Sequence, residues 1–545
     1  MQVTASELAL AYHTVKHNLS YASNDCNVKL QSKLFHDSPI AKKITCGKTK
    51  CEGLVKGVLG PNSLINIKET LTVNLFFGVG FDASNKGNRK CFPITVRYFS
   101  EKLGVCNKLV DFYEDGDESA VAMSEQILSR ISDLGLNLCQ VSSFTADNTN
   151  ANYGKNNSVY VHLKQRNPNL MKSNCCAHVV HNACRAGMNV MSFDVELLII
   201  KVYNYFSNSA KRVAQLKDFF DFVDLEYSNL LRHVTTRWLS LKPGIERLLQ
   251  NLTALTSYFA SIDDCPNFIQ KHLLGTDLEK QKLITELHLH FSLHIVELFH
   301  KAVLNLEKNE LAVCDVFHVM KDLKCQLEHR MRDSFFGYRV HQTLDKLGEL
   351  FPNENKMHIK EFERVYEVCL NYLKKWFDFS ENNIFSIMDC ISLKDSPEFQ
   401  KVLQLSESIG IIDKLNADEM YSELIVISSL FSGDTGASLK EKMISMSVSD
   451  RWVHVIDLLG ATKLRNILVL VKFILSIFPS NAFTERVFSV MNMKWRDDRN
   501  RSSISLIKQE LFTYFNYDES CSEFYQKVLT DKKILAKGRS NEKYL

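Results

Sequence analysis

Between residues 70 and 190, short apolar runs alternate with polar breaks. Val73 to Phe81 (VNLFFGVGF) predicts a buried strand that ends on Asp82. Asn85 to Lys90 is polar and contains glycine, as a turn does, and Phe92 to Phe99 (FPITVRYF) is a second strand with alternating faces. Val105 to Tyr113 makes a third. Val121, Met123, Ile127, Ile131 and Leu134 recur at helical spacing across Glu118 to Leu134, and Gly135 stops that helix. Cys139 to Ala146 is a fourth strand, again ending on an aspartate, Asp147.

From about 190 to 455 the texture changes to long helical periodicity without convincing strands, as in Val195 to Phe206, Ile245 to Ala260, Leu283 to Leu306 and Phe362 to Phe377. So long a stretch is a helical domain or insertion rather than a loop. Residues 456 to 516 are helical again: an apolar strip, a break at Pro479-Ser480-Asn481, then a helix with Glu485 in its first turns. The N-terminal 65 residues look partly helical and define no self-contained fold. The expected division is 1–69, partly helical; 70–190, first part of an α/β core; 191–455, helical insertion; 456–520, C-terminal part of the core; and 521–545, a tail.

Three strands, a helix and a fourth strand is the order of an RNase H-like domain. In such a mixed sheet the first and fourth strands lie side by side, so aspartates at matching strand ends come close together. The expected fold class is therefore an α/β RNase H-like core interrupted by a large all-α insertion.

Composition narrows the function classes. The chain has 545 residues, 45% hydrophobic and 24% charged, which are ordinary globular values. Nine prolines and 21 glycines leave little room for long flexible linkers. The start, MQVTASELALAYH, lacks the basic and apolar regions of a signal peptide. The longest apolar run, Asn466 to Phe478, is interrupted by Lys472 and falls short of the about 20 residues of a membrane span. An intracellular protein with no membrane partner is expected, its 15 scattered cysteines mostly reduced. A net charge of +3 is too small to argue nucleic-acid binding, so any DNA contact must come from local basic patches.

A strand-end aspartate is ordinarily a turn former. Two of them on strands one and four also fit a pair of oxygen ligands for Mg²⁺. Two such ions about 3.5–4 Å apart activate a nucleophile and steady a leaving oxygen on phosphorus. A third carboxylate is needed, and periodicity does not choose it.

Three stretches resemble the signature blocks of hAT superfamily DNA transposases. GFDASNKGNRKCFPITVRYFS (80–100) is similar to the block of the first catalytic aspartate, matching Asp82. FTADNTNANYGK (144–155) is similar to that of the second, matching Asp147. PSNAFTERVFSVMNMKWRDDRNR (479–501) resembles the C-terminal block, whose Ser-Glu-Arg-x-Phe-Ser core stands here as Thr-Glu-Arg-Val-Phe-Ser. The resemblance covers most of residues 70 to 516 in order. It implies that Glu485 is the third acid, that Mg²⁺ or Mn²⁺ is the cofactor, and that Arg486, Phe488 and Ser489 belong to the motif. It also implies DNA as partner, self-association through the C-terminal region, and a nuclear location with or without a cytoplasmic pool. On a helix, Glu485, Ser489 and Asn492 share a polar face opposite Phe483, Val487, Val490 and Met491. Without the block, Glu485 is an acid favoured at a helix N-terminus.

Cys175, His178, His181 and Cys184 recur every third residue. On one helix, steps of three drift by about 60° each, so Cys175 and Cys184 point to opposite sides and no structural zinc is expected. The resemblance matches Cys175 and His178 to the family's Cys-x-x-His, shaping the active-site edge, with His178 toward DNA. It matches Arg237 and Trp238 to an Arg-Trp motif, one a phosphate contact and the other a base-stacking platform. A tryptophan in a helical region is otherwise core. His290 and His294 have metal-pair spacing, but their apolar surroundings favour packing. Lys494, Arg496, Arg499 and Arg501 form a local basic cluster, either a phosphate contact or a solvated face balanced by Asp497 and Asp498. Leu464 to Ile477 fits an interface or a core strip equally well.

Many hAT transposases begin with a zinc finger that reads the element's ends. Here only Cys46 and Cys51 lie in a suitable region, without partners at finger spacing. Two readings follow: a metal-dependent transposase, or a domesticated, catalytically silent descendant that dimerises and regulates or binds DNA.

Overall fold

The structure is a computed structural model that describes every residue except 234–240, 353, 497, 498, 500, 501 and 545, with Thr435 described by its backbone alone. Among the described residues the chain is mostly helical, with one mixed sheet of six strands. These are β1 (Phe77–Phe81), β2 (Ser84–Lys86), β3 (Arg89–Ser100), β4 (Gly104–Glu114), β5 (Val141–Thr145) and β6 (Met171–Lys172). β1 pairs antiparallel with β3 and parallel with β5; β4 pairs antiparallel with β3, and β6 runs parallel to β5. The first and fourth of the long strands are thus neighbours. The first begins at Phe77 rather than Val73, because Ile67 and Leu71, four apart, bury the same face of a preceding helix, Gly60–Val73.

The chain divides into two compact units. The first comprises Met1–Cys175, Glu307–Asp315 and Ile384–Leu545. Strand alternation sets its two cores. Phe77, Val79 and Phe81 of β1 pack with Phe92, Ile94 and Val96 of β3 against the helix Ala120–Asp133. The opposite face carries Gly78 and Gly80 on β1. A Cβ at Gly78 would stand 2.2 Å from the Ser476 carbonyl oxygen, and one at Gly80 would stand 2.5 Å from Thr95 Oγ1 and 2.9 Å from Thr484 Oγ1. Two glycines therefore let the end of helix Arg465–Leu475 and the start of helix Ala482–Lys494 rest directly on the strand.

The boundary expected near 455 falls elsewhere. Residues 384–459 fold onto the sheet unit, where Trp452 is fully buried and donates to the Ile391 carbonyl at 2.8 Å. The strip 464–477 lies inside the same core, with Ile467, Leu470, Val471 and Ile474 fully buried, so core rather than interface is its observed role. Arg97, also buried, ties this core together by donating to the Leu475 and Leu311 carbonyls. The N-terminal segment is not a separate body. Helices Gln2–Lys16, Tyr21–Leu34 and Lys48–Leu54 share a hydrophobic core with the C-terminal helices Ile504–Asn516, Cys521–Thr530 and Lys532–Arg539. Cys46 and Cys51 are buried in it.

The second unit, Cys176–Leu306 with Val316–Asn383, is all helical among the described residues. Leu278–Leu306 and Glu354–Trp376 are its longest helices wholly within the unit, joined by Phe291 stacked on Phe362 at 3.8 Å. No described helix is long and apolar enough to cross a membrane.

Candidate functional site

Parallel pairing of Gly80 with Thr145 carries β1 and β5 to the same end of the sheet, where Asp82 follows one strand and Asp147 the other. Both aspartates are half-buried. Asp82 Oδ1 accepts from the Ala83 backbone N–H at 2.8 Å, fixing its carboxylate locally. Asp147 Oδ1 accepts from Thr149 Oγ1 at 3.1 Å and from the Asn152 side-chain amide. Thr149 also caps the short helix Asn150–Tyr153, so capping and orientation of Asp147 share one hydroxyl. Tyr153 locks the strand end: its hydroxyl accepts from Ala146 N and reaches the Phe144 and Ser173 carbonyls. Burial drives the Tyr153 phenol well above its ordinary range, so it stays protonated.

The third acid arrives on the helix Ala482–Lys494. Asn481 donates its amide to the Phe81 carbonyl at 3.2 Å, one residue before Asp82, and its backbone N–H to Cys175 Sγ at 3.3 Å. Thr484 Oγ1 meets Thr95 Oγ1 at 2.9 Å, and Thr95 donates to Gly80 O. The first turn, carrying half-buried Glu485, is thereby clamped to the strand pair that leads into Asp82. Ser489 and Asn492 are exposed on its polar face, while Val487, Phe488, Val490 and Met491 are buried. Arg486 lies over the Phe483 ring at 6.0 Å. The three carboxylates share one end of the sheet, but no group of ligand atoms lying within 4.8 Å of one another contains all three.

Two members of the expected basic cluster are committed inside the fold. Lys494 is 1% exposed and donates to Val15 O at 2.7 Å and Asn18 Oδ1 at 2.9 Å. Its position follows the buried stripe Val487, Met491, Lys494 at helical spacing. Burial, with Arg499 and Lys16 nearby, lowers its ammonium to about 8 against the pull of Glu510. Arg499 grips buried Glu510 with two N–H groups, at 2.7 and 3.3 Å, and Tyr21 donates to the same carboxylate. Neither cation is offered to phosphate. Arg496 is exposed. Arg237, Trp238 and Arg501 lie outside the described residues.

In the second unit, His178 is half-buried in the first turn of helix Cys176–Met188, which begins one residue after Cys175. Cys184 on that helix is buried beside Cys369. His181 is lowered to about 4, first by burial and then by His178 and Arg185. His294 is packed, accepting from Arg330 Nε at 3.2 Å.

Sequence reasoning missed the positioning residues Thr149, Asn152 and Asn481. All three sit within the quoted blocks; an Asx- or Thr-rich turn after a strand marks Thr149 and Asn152, and Asn481 stands directly before a helix. Compared with protein-family models and with curated proteins, the chain matches none.

Proposed function

We propose that the chain is a hAT-like DNA transposase, or retains that chemistry from one, built on an RNase H-like core. The reading rests on one observation above others: Asp82 and Asp147 follow adjacent parallel strands at the same end, with the Glu485 turn clamped beside them. An oxygen-only donor set of three carboxylates suits a hard cation such as Mg²⁺ or Mn²⁺. When bound there, the metal supplies Lewis acidity for attack on a phosphodiester. Asp82, Asp147 and Glu485 hold it; Thr149 and Asn152 orient Asp147; Asn481 and Thr484 hold the Glu485 helix on the sheet. In hydrolysis, a water oxygen bonds to phosphorus and gives its proton to solvent, while the P–O3′ bond breaks and the leaving 3′ oxygen takes a proton from solvent to become the 3′-OH. In strand transfer, a freed 3′-OH takes the place of water.

The test is Mg²⁺- or Mn²⁺-dependent nicking of a terminal-repeat duplex by the full chain, compared with Asp147→Asn. Nicking by the wild type alone is expected. Absence of nicking with the natural ends supplied sinks the enzymatic reading. The second reading, a catalytically silent descendant that binds DNA or a second copy, is favoured by the failure of the three acids to gather within 4.8 Å. Duplex binding without cutting would establish it.

A further inference from the structure

We infer that His288, His358 and Glu361 form a site for one divalent transition-metal ion of the zinc class within the helical unit. His358 and Glu361 are three apart on helix Glu354–Trp376 and therefore share a face. His288 meets them from helix Leu278–Leu306. His288 Nε2 and His358 Nδ1 are 3.2 Å apart, and Glu361 Oε2 lies 3.8 Å from the first and 3.6 Å from the second. A tetrahedral ion with bonds of about 2.0–2.2 Å separates its ligand atoms by about 3.3–3.6 Å, so these are nearly the edges of one coordination face.

A hydrogen-bonded network accounts for this triangle less well. The carboxylate oxygen is beyond hydrogen-bond distance of both rings, and the facing nitrogens share a single proton. Three lone-pair atoms thus converge with one hydrogen among them. The outer nitrogens, His288 Nδ1 and His358 Nε2, are buried without hydrogen-bond partners among the described residues. Nothing there dictates the tautomer, so both protons can sit outside and leave two inner lone pairs for a cation.

The surroundings supply the rest of a ligand shell. Ser192 N–H donates to Glu361 Oε1, which orients the carboxylate and leaves Oε2 toward the histidines. Phe193 stacks on the His288 ring at 4.9 Å and Phe362 packs edge-on at 5.5 Å, fixing its plane. The His288 and His358 side chains are 1% and 2% exposed, and that of Glu361 12%. Two nitrogens and one oxygen favour zinc-like ions over Mg²⁺ and leave a fourth position to water or another donor.

The probe is Co²⁺ added to the full chain after stripping with a chelator. The wild type is expected to retain one equivalent more than Glu361→Gln, with the visible absorption of a low-coordinate Co²⁺ centre. His358→Asn and Glu361→Gln should each weaken that equivalent at least about tenfold. Zn²⁺ should raise the melting temperature of the wild type more than that of either variant. Metal bound by the 15 cysteines is common to all the proteins and cancels in the comparison. If His358→Asn does not fold, Glu361→Gln decides, since its amide oxygen can still accept from Ser192 N. Equal uptake by wild type and Glu361→Gln, or no uptake by the wild type, overturns the site.

Discussion

At its N-terminal turn, the helix Ala482–Lys494 rests on the strands through uncharged groups: Asn481 on Phe81 O, Thr484 on the Thr95 hydroxyl. At its C-terminal end the contacts hold charged groups. Lys494 is sealed under Val15 and Asn18, and a step further Arg499, Glu510 and Tyr21 close a buried charge network. One block of sequence thus yields two regions with opposite chemistry. At the anchor, each cation is held by acceptors inside the protein, where a buried charge without partners is costly. At the strand ends, neutral side chains clamp the turn that carries Glu485 to the strands that lead into Asp82. Basic residues in a sequence block are therefore no measure of DNA affinity until their partners are known.

The largest expected break of this contrast is at the strand ends. Asp147→Asn should reduce metal-dependent nicking by more than the about 10–100-fold that loss of a supporting partner costs, and leave the melting curve nearly unchanged. Lys494→Met should do the reverse. The folded-state ammonium sits at about 8, below its ordinary 10.5, so between these values the unfolded chain binds more protons and stability rises with pH. The wild type should gain on Lys494→Met by up to about 3 kcal/mol across that window. Denaturant unfolding of both proteins at pH 7.5 and pH 10 measures it; a constant difference would remove the buried ammonium from the anchor.

Gly80→Ala tests the neutral clamp itself. The new methyl meets Thr95 Oγ1 and Thr484 Oγ1, so overpacking should cost about 1–3 kcal/mol and lift the Glu485 turn from the sheet. Adding Thr95→Ala removes one obstruction and should recover part of the loss. Strict additivity of the two changes would argue against the contact.

Much of this contrast was legible in the residues, and the limits have physical causes. An alternating run located β3 and short runs between polar breaks located β4 and β5, and the strand-helix order anticipated the β1–β5 pairing. Helical spacing also separated Ser489 and Asn492 from Val487 and Met491. The same spacing put Lys494 on the buried stripe, but a charged residue among arginines drew attention to charge instead. The joining of Tyr12 to Glu519, or Lys494 to Val15, has no local signature, since the partners lie hundreds of residues apart. His288 and Glu361 were passed over for the same reason; only the helix pairing brings them together. The fold of 384–459 onto the sheet unit was hidden because helical periodicity names a buried face and not what buries it.

The smallest expected effect discriminates most finely between holding a metal and positioning its ligand. Asn152→Ala removes an amide donor from Asp147 Oδ1 but leaves the Thr149 hydroxyl on the same oxygen. The carboxylate keeps its charge and loses part of its orientation, so nicking should fall about tenfold at limiting Mg²⁺. Because the ligand itself survives, raising Mg²⁺ should restore most of the activity. Asp147→Asn has lost the charge and should not be restored at any Mg²⁺ concentration. If both variants respond alike to added metal, Asp147 is not a metal ligand, and the Thr149–Asn152 turn serves only to end the strand.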